Sequence, residues 1–230
     1  MADYRDVYAH HAERYDALVS HEDHAGNLAR VLAEIAPGVA LDIVETGAGT
    51  GRVSRILAPR ARSLRAFDAA PAMIAVATSR LAEWSQATFG VASHDALPVE
   101  DASADLAIEG WAFGHALSWN PTGWRDDLRR HVGELDRVTR AGGLLVLVET
   151  QGTGVETPFA EGHSLEPFHA FVTTELGFAH RSIRTDYAFA TVDEAAETLG
   201  FFFGERMSTR VRERAWTIVP ECTGIYWRTR

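Results

Sequence analysis

The sequence has a single cysteine and no lysine among its 230 residues. Because a disulfide needs two thiols, Cys222 cannot form one within the chain, and a cysteine-rich metal site is excluded as well. The missing lysine excludes a Walker A loop, which needs a lysine beside its glycines to hold phosphate. The first residues lack the basic and apolar blocks of a secretory signal, and no later run has the apolar length of a membrane span. We therefore expect a cytoplasmic chain with no membrane partner and no bound metal.

Positive charge is also scarce. The 32 acidic residues outnumber the 22 basic ones, all of which are arginine, and the formal net charge is −10. Since nucleic-acid binding depends on clustered positive charge, this balance argues against a nucleic-acid partner. A chain of this length with 46% hydrophobic residues can bury one sizeable core. We expect one domain over residues 1–230, as a monomer or homodimer, made of N-terminal helices (1–36), a core (37–150) and substrate-side and C-terminal strands with a helical cap (151–230).

Apolar runs alternate with segments of helical periodicity through the core. The runs cover residues 40–45, 64–68, 88–93, 105–109 and 144–149. Fully apolar strands that alternate with helices indicate a parallel sheet covered on both faces. The predicted fold is α/β, a Rossmann-like doubly wound sheet that is mostly parallel, with an antiparallel C-terminal strand, helices on both faces and extra helices between the last two strands.

Local signals predict several element boundaries outside and inside this core. One helix is expected over residues 4–19, and Asn120-Pro121 is expected to cap a long amphipathic helix. A strand is predicted from Arg181 to Phe189, followed by a helix from Val192 to Phe203. Pro220 lacks an N–H to donate to a ladder, so the closing strand should be broken or bulged there.

The first strand runs into a glycine-rich turn, Glu45-Thr46-Gly47-Ala48-Gly49-Thr50-Gly51. A dinucleotide-binding fingerprint needs Gly-x-Gly-x-x-Gly, and Arg52 stands where its third glycine belongs. This disfavours a nicotinamide-dependent reductase. The remaining pattern of strand, carboxylate, alternate glycines and helix resembles the first motif of class I S-adenosylmethionine-dependent methyltransferases. The cofactor half is similar to the ubiquinone and menaquinone methyltransferase-like group, and the C-terminal part resembles an uncharacterised bacterial branch.

The resemblance implies that S-adenosylmethionine binds and that S-adenosylhomocysteine is the product. Ligands of such sheets bind at the carboxyl ends of the strands, where each expected contact lies. Asp68 would accept the ribose hydroxyls, Asp95 would face the adenine amine, and Glu109 would contact the methionine portion. The full set of cofactor residues that it implies is Glu45, Thr46, Gly47, Ala48, Gly49, Gly51, Asp68, Ala69, Met73, Asp95, Ala96, Glu109 and Trp111.

Candidates for the chemistry lie at the same edge of the predicted sheet. His115 follows the fourth strand and is a candidate base or substrate contact, although a loop histidine without a catalytic role fits the sequence too. Trp119 and Glu149 are candidate substrate contacts. Arg184 is another, unless it only pairs with Asp186. For Tyr8 and Tyr15, core packing and cofactor contact remain equally open.

The sequence thus predicts methyl transfer to oxygen, nitrogen or carbon of a small-molecule substrate, in a pathway that the sequence does not identify. A protein of the same fold that binds S-adenosylmethionine or a partner without turnover is the alternative. The segment 190–214 lies between two predicted strands, and we hypothesise that it gates the site.

Overall fold

The computed structural model describes residues 4–160 and 164–230. Nine strands are found in this part of the chain: β1 (Leu41–Thr46), β2 (Ala61–Asp68), β3 (Ala87–Val91), β4 (Ala104–Gly110), β5 (Thr139–Thr153), β6 (Ala179–Arg184), β7 (Tyr187–Ala188), β8 (Ile218–Val219) and β9 (Glu221–Thr229). Seven of them form one sheet in the order β3-β2-β1-β4-β5-β9-β6, and β7 pairs with β8 separately. β1 to β5 are parallel, whereas β9 is antiparallel to both of its neighbours. The predicted Rossmann-like sheet with one antiparallel C-terminal strand is confirmed.

The described helices are α1 (Tyr4–His10), α2 (Ala12–Ser20), α3 (Asn27–Ile35), α4 (Arg52–Leu57), α5 (Pro71–Arg80), α6 (Ala116–Trp119), α7 (Trp124–Val138), α8 (Glu166–Thr174), α9 (Val192–Phe203) and α10 (Glu205–Glu213). Successive strand residues point to opposite faces of a sheet. Ile43 accordingly packs with α3 and α4 on one face, while Val44 packs with α7 and α8 on the other. This alternation buries both faces and leaves the ends of the strands as the place for a site.

A third apolar cluster joins segments that are distant in sequence. It contains α1, α2, α9, α10 and the β7–β8 pair, which we call the cap. α9 begins as the sequence predicts, because Thr191 Oγ1 accepts the Glu194 N–H at 3.1 Å and the Glu194 carboxylate accepts the Ala190 N–H at 2.8 Å. This reciprocal capping fixes the start of the helix. The extra helices expected between the last two strands are therefore part of the cap.

Several predicted boundaries are wrong, and β5 runs from Thr139 to Thr153 instead of over 144–149. The helix expected over 4–19 is broken at His11, whose backbone leaves the helical region at φ −128°. The strand expected over 181–189 is interrupted, because Thr185 and Asp186 belong to neither β6 nor β7 and the two strands pair in different sheets. The long helix begins at Trp124 instead of at Asn120, whose side-chain oxygen accepts the Gly123 N–H at 3.1 Å and so closes a turn before the helix. The break expected at Pro220 is confirmed between β8 and β9.

The described helices include none that is long and apolar enough to cross a membrane.

Candidate functional site

The glycine turn joins β1 to α4 at the carboxyl end of the parallel strands. Gly47, Gly49 and Gly51 have φ of +68°, +55° and +90°, a region that side chains disfavour. A Cβ on Gly47 would lie 2.4 Å from Ala112 Cβ, and one on Gly51 would lie 2.5 Å from Leu81. A Cβ on Gly49 would meet only the Tyr15 ring, at 3.8 Å. Gly47 and Gly51 are thus fixed by protein packing, whereas Gly49 faces the crevice at the strand ends.

Asp68 ends β2 beside this turn, where the sequence predicts it. One carboxylate oxygen accepts the Gly49 N–H at 2.9 Å and the other accepts the Ala70 N–H at 2.8 Å. Burial raises the pKa of Asp68, and these backbone hydrogen bonds oppose the increase. Of its expected companions, Met73 is buried and Ala69 is exposed. The carboxylate therefore both closes the glycine turn and borders the crevice.

Glu45 and Thr46 lie below the turn, in the last positions of β1. Ser54 Oγ donates to the Glu45 carboxylate at 2.5 Å, and burial raises the pKa of this carboxyl to about 8. Thr46 Oγ1 lies 2.8 Å from His94 Nδ1. Burial lowers the pKa of His94 to about 3, so the imidazole is neutral at physiological pH. Ala48, within the turn, is buried too.

Two glutamates end the next strands, Glu109 on β4 and Glu149 on β5. Glu109 Oε2 accepts the N–H groups of Ala112 and Phe113 at 3.1 and 3.3 Å, whereas its Oε1 is buried and has no hydrogen-bond partner among the described residues. Glu149 accepts the Gly114 N–H at 2.5 Å. Burial raises the pKa of Glu109 well above its usual range, and the nearby charge of Glu149 adds to the increase. The unpaired oxygen of Glu109 is the kind of buried group that a ligand would satisfy.

Arg52 is the residue whose importance the sequence reasoning missed. Its guanidinium carbon lies 3.3 Å from the centroid of the Trp111 ring, and it forms an ion pair with Glu22, which lies just after α2. Trp111 itself has a φ of +55°, an uncommon strain that tends to occur at functional sites. The Arg52 charge also acts on Glu45 and Glu149. Arg52 therefore connects the segment after α2 with the glycine turn and the strand ends.

His115 lies at the rim of the crevice under the first helix. Its Nε2 is 2.8 Å from the Tyr8 hydroxyl, and its ring stacks on Trp119 with centroids 4.7 Å apart. Burial lowers the pKa of His115 to about 4, so the ring is neutral at pH 7. Tyr15 packs edge-on against Tyr8. The structure thus brings His115, Trp119 and two cap tyrosines together, although the sequence left the tyrosines open.

Two expected contacts are engaged elsewhere. Asp95 is exposed, with a carboxylate oxygen 3.0 Å from Nε2 of His131 in α7, and neighbouring Ala96 is exposed as well. Arg184 donates to both carboxylate oxygens of Asp186 at 2.7 and 3.0 Å, which is the ion pair that the sequence left as its alternative role. Their roles in adenine and substrate binding stay predictions. His163, another histidine of the C-terminal part, lies outside the described residues.

The crevice is narrow in this conformation. The cavity between Tyr15, the glycine turn and Trp111 has a volume of about 20 Å³. A second cavity, of about 240 Å³, lies on the other side of the Arg52–Trp111 stack and is bordered by Glu22 and Asp23. Small-molecule sites usually span about 300–1,000 Å³. A nucleoside-sized ligand does not fit either cavity while Tyr15 lies against the glycine turn.

Comparison with known proteins agrees with this geometry. A family model described as a methyltransferase domain matches residues 44–147, the segment that contains the glycine turn, Asp68 and Glu109. The chain belongs to the class I S-adenosylmethionine-dependent methyltransferases. Among curated methyltransferases, the malonyl-[acyl-carrier protein] O-methyltransferase of Serratia marcescens is 28% identical over 140 residues, 61% of this chain and 49% of that protein. The protein of the same name from Pectobacterium atrosepticum is 29% identical over 116 residues, 50% of this chain and 41% of that protein. The chain thus spans about half or less of these relatives.

Solved methyltransferase structures share the fold. A SAM dependent methyltransferase from Aquifex aeolicus has a TM-score of 0.55 and 14% identity, with 89% of this chain and 93% of that one covered. Phosphoethanolamine N-methyltransferase 2 from Haemonchus contortus, in complex with S-adenosyl-L-methionine, has a TM-score of 0.62 and 14% identity, with 100% of this chain and 61% of that one covered. At these identities the likeness concerns the methyltransferase fold alone.

Proposed function

We propose that this methyltransferase binds S-adenosylmethionine in the crevice at the strand ends and transfers the methyl group to a small-molecule acceptor. The observation that carries the proposal is the glycine turn, where Gly49 donates its N–H to Asp68 and a Cβ at Gly49 would meet no described side chain nearer than the Tyr15 ring. Glu109, at the end of β4, has a buried oxygen without a hydrogen-bond partner among the described residues. A backbone without side chains permits close approach of a ligand. Asp68 and Glu109 supply carboxyl groups that suit the ribose hydroxyls and the positive charges of the cofactor.

The residues present fit the cofactor in chemistry. The backbone of Gly47, Ala48, Gly49 and Gly51 would lie against the cofactor. Asp68, with Ala69 and Met73 beside it, would accept hydrogen bonds from the ribose hydroxyls. The methionine portion would lie beside Glu45, Thr46, Glu109 and Trp111. Its ammonium group would donate a hydrogen bond to the unpaired Glu109 oxygen. The adenine would extend toward Asp95 and Ala96.

The chain's own contribution to catalysis is to position the acceptor and to handle its proton. When bound, the cofactor supplies an electrophilic methyl group, and the rate depends on holding the acceptor in line with it. His115 is unprotonated at pH 7 and can take a proton from the acceptor, but burial lowers its pKa to about 4 and so makes it a weak base. Trp119 stacks on His115 and Glu149 lies at the end of the neighbouring strand, so both would border the acceptor.

The experiment is a calorimetric titration with S-adenosylmethionine and S-adenosylhomocysteine. We expect micromolar dissociation constants and at least tenfold weaker binding by Asp68→Asn, which removes the charge and keeps the shape. Asp126→Asn, on the exposed side of α7, is the matched control and should bind like the wild type. Absence of binding to both ligands would contradict the proposal. Binding without methylation of any amine, phenol or carboxylate in a broad panel would favour the non-catalytic alternative.

A further inference from the structure

Trp111 is held in an unusual conformation just after β4. Its φ of +55° lies in the left-handed region, which a bulky side chain rarely adopts. Such a conformation persists only where the surrounding structure imposes it. The Trp111 N–H donates to the Val148 carbonyl of β5 at 2.7 Å, which fixes the backbone. The place of the indole ring then depends on the side chain that packs against it.

Arg52 is the side chain that lies against this ring. Its guanidinium carbon is 3.3 Å from the centroid of the indole, and a planar guanidinium stacks on an aromatic face in a way that an ammonium group cannot. Arg52 and Trp111 both border the crevice at the glycine turn, and both border the larger cavity beyond it. The stacked pair is therefore a wall that the two cavities share, and its position sets the shape of the crevice at that end.

Glu22 anchors the guanidinium of Arg52. The two side chains form an ion pair in which Glu22 is 2% exposed and Arg52 is 14% exposed. Glu22 Oε1 also accepts the Thr185 hydroxyl at 3.1 Å, and Thr185 Oγ1 lies 2.6 Å from Thr223 Oγ1 of β9. A continuous series of contacts thus runs from the central sheet through Glu22 to Arg52 and ends on the Trp111 ring.

We propose that Arg52 is a positioning residue for the cofactor: anchored by Glu22, it holds the Trp111 ring at the edge of the crevice where the methionine portion would lie. The inference rests on the proposed function, in which Trp111 borders that portion. Without Glu22 the guanidinium is a buried charge that lacks its partner, so it leaves the ring. The strained Trp111 then relaxes, and the cofactor loses one wall of its site.

A direct role for Arg52 in binding the ligand predicts the opposite response. If the guanidinium bound the carboxylate of the methionine portion, Glu22 would compete with that carboxylate, and removal of the Glu22 charge would strengthen binding. The two roles therefore give opposite signs for one substitution, Glu22→Gln. The amide oxygen of the new side chain can still accept the Thr185 hydroxyl, so we expect this variant to fold.

The first measurement needs no ligand. The protein is labelled with fluorotryptophan, and the fluorine NMR signal of Trp111 is the one of six that is missing in Trp111→Leu. We expect Glu22→Gln and Arg52→Lys to shift or broaden this signal, because the first loses the anchor and the second loses the planar stack. Glu13→Gln, at an exposed position of α2, is the matched control and should leave the signal unchanged.

The second measurement is a calorimetric titration with S-adenosylhomocysteine, run below the Tm of each variant. We expect Glu22→Gln and Arg52→Lys to bind at least fivefold more weakly than the wild type and Trp111→Leu at least tenfold more weakly, whereas Glu13→Gln binds like the wild type. The double variant Glu22→Gln/Trp111→Leu should bind within twofold of Trp111→Leu, because Glu22 acts through a ring that is already lost. A merely structural role of Glu22 would lower the Tm without this dependence on Trp111.

The inference is overturned if any of Glu22→Gln, Arg52→Lys and Trp111→Leu binds S-adenosylhomocysteine at least as tightly as the wild type. It is also overturned if the Trp111 signal is the same in Glu22→Gln as in the wild type, or if the effects of Glu22→Gln and Trp111→Leu on binding simply add. Absence of binding by the wild type is a different result, because it would contradict the proposed function and this inference with it.

Discussion

Alanine at Gly47 and alanine at Gly49 should affect different properties of the protein. Both positions are left-handed, and an alanine there costs roughly 1–2 kcal/mol. At Gly47 the new Cβ also meets Ala112 Cβ at 2.4 Å, and such overpacking adds about 1–3 kcal/mol. At Gly49 the Tyr15 ring is at an ordinary contact distance of 3.8 Å, so no clash is added. Gly47→Ala should therefore lose clearly more free energy of unfolding than Gly49→Ala.

Thermal denaturation measures the loss of stability, and calorimetric titration measures the loss of ligand affinity. With about 2–4 °C per kcal/mol for a protein of this size, Gly49→Ala should lower the Tm by roughly 2–8 °C. Its Cβ projects into the crevice, so its affinity for S-adenosylhomocysteine should fall at least tenfold. The reasoning is refuted if Gly49→Ala binds the ligand like the wild type, or if it destabilises the fold as much as Gly47→Ala.

The remaining predictions concern pH, the His115 contact and the cap. Glu45 has a pKa of about 8 when folded and 4.5 when unfolded, so the unfolding free energy should fall as pH rises from 6.5 to 8. Glu45→Gln should reduce this slope by about 1.4 kcal/mol per pH unit in urea titrations. An unchanged slope would count against a buried carboxyl at this position. Tyr8→Phe should raise the NMR-measured pKa of His115 if water replaces the lost hydroxyl, and an unaltered titration would show that the 2.8 Å contact does not define its surroundings. Amide exchange in α1, α2 and residues 190–214 should slow when S-adenosylhomocysteine binds, because the cap opens to admit the ligand and then packs against it; equal exchange would argue against a gating cap.

Local signals in the sequence predicted the parts of the fold that depend on neighbouring residues. The glycine turn, the start of α9 at Thr191 and the break at Pro220 each follow from the chemistry of a few adjacent side chains. Asn120 shows the limit of this reasoning. Its side chain is as able to close a turn as to cap a helix, and the structure uses it for the turn.

Contacts across the chain were beyond what spacing could predict. Tyr8 and His115 are 107 residues apart, and their hydrogen bond exists because the cap packs α1 over the strand ends. The sequence showed Arg52 only as the residue that replaces the third glycine of a dinucleotide fingerprint. In the structure it pairs with Glu22, 30 residues earlier. The ends of β5 and β9 come together only through the sheet order, so no local signal predicted the hydrogen bond from Thr150 to Glu221.

The most direct test of the account is the structure of the protein in complex with S-adenosylhomocysteine. We predict that the ribose hydroxyls bind Asp68, that the homocysteine portion lies between Glu109 and Trp111, and that Tyr15 has moved away from Gly49. A complex in which the ligand binds elsewhere, with the glycine turn still covered by Tyr15, would contradict the assignment of this crevice as the cofactor site.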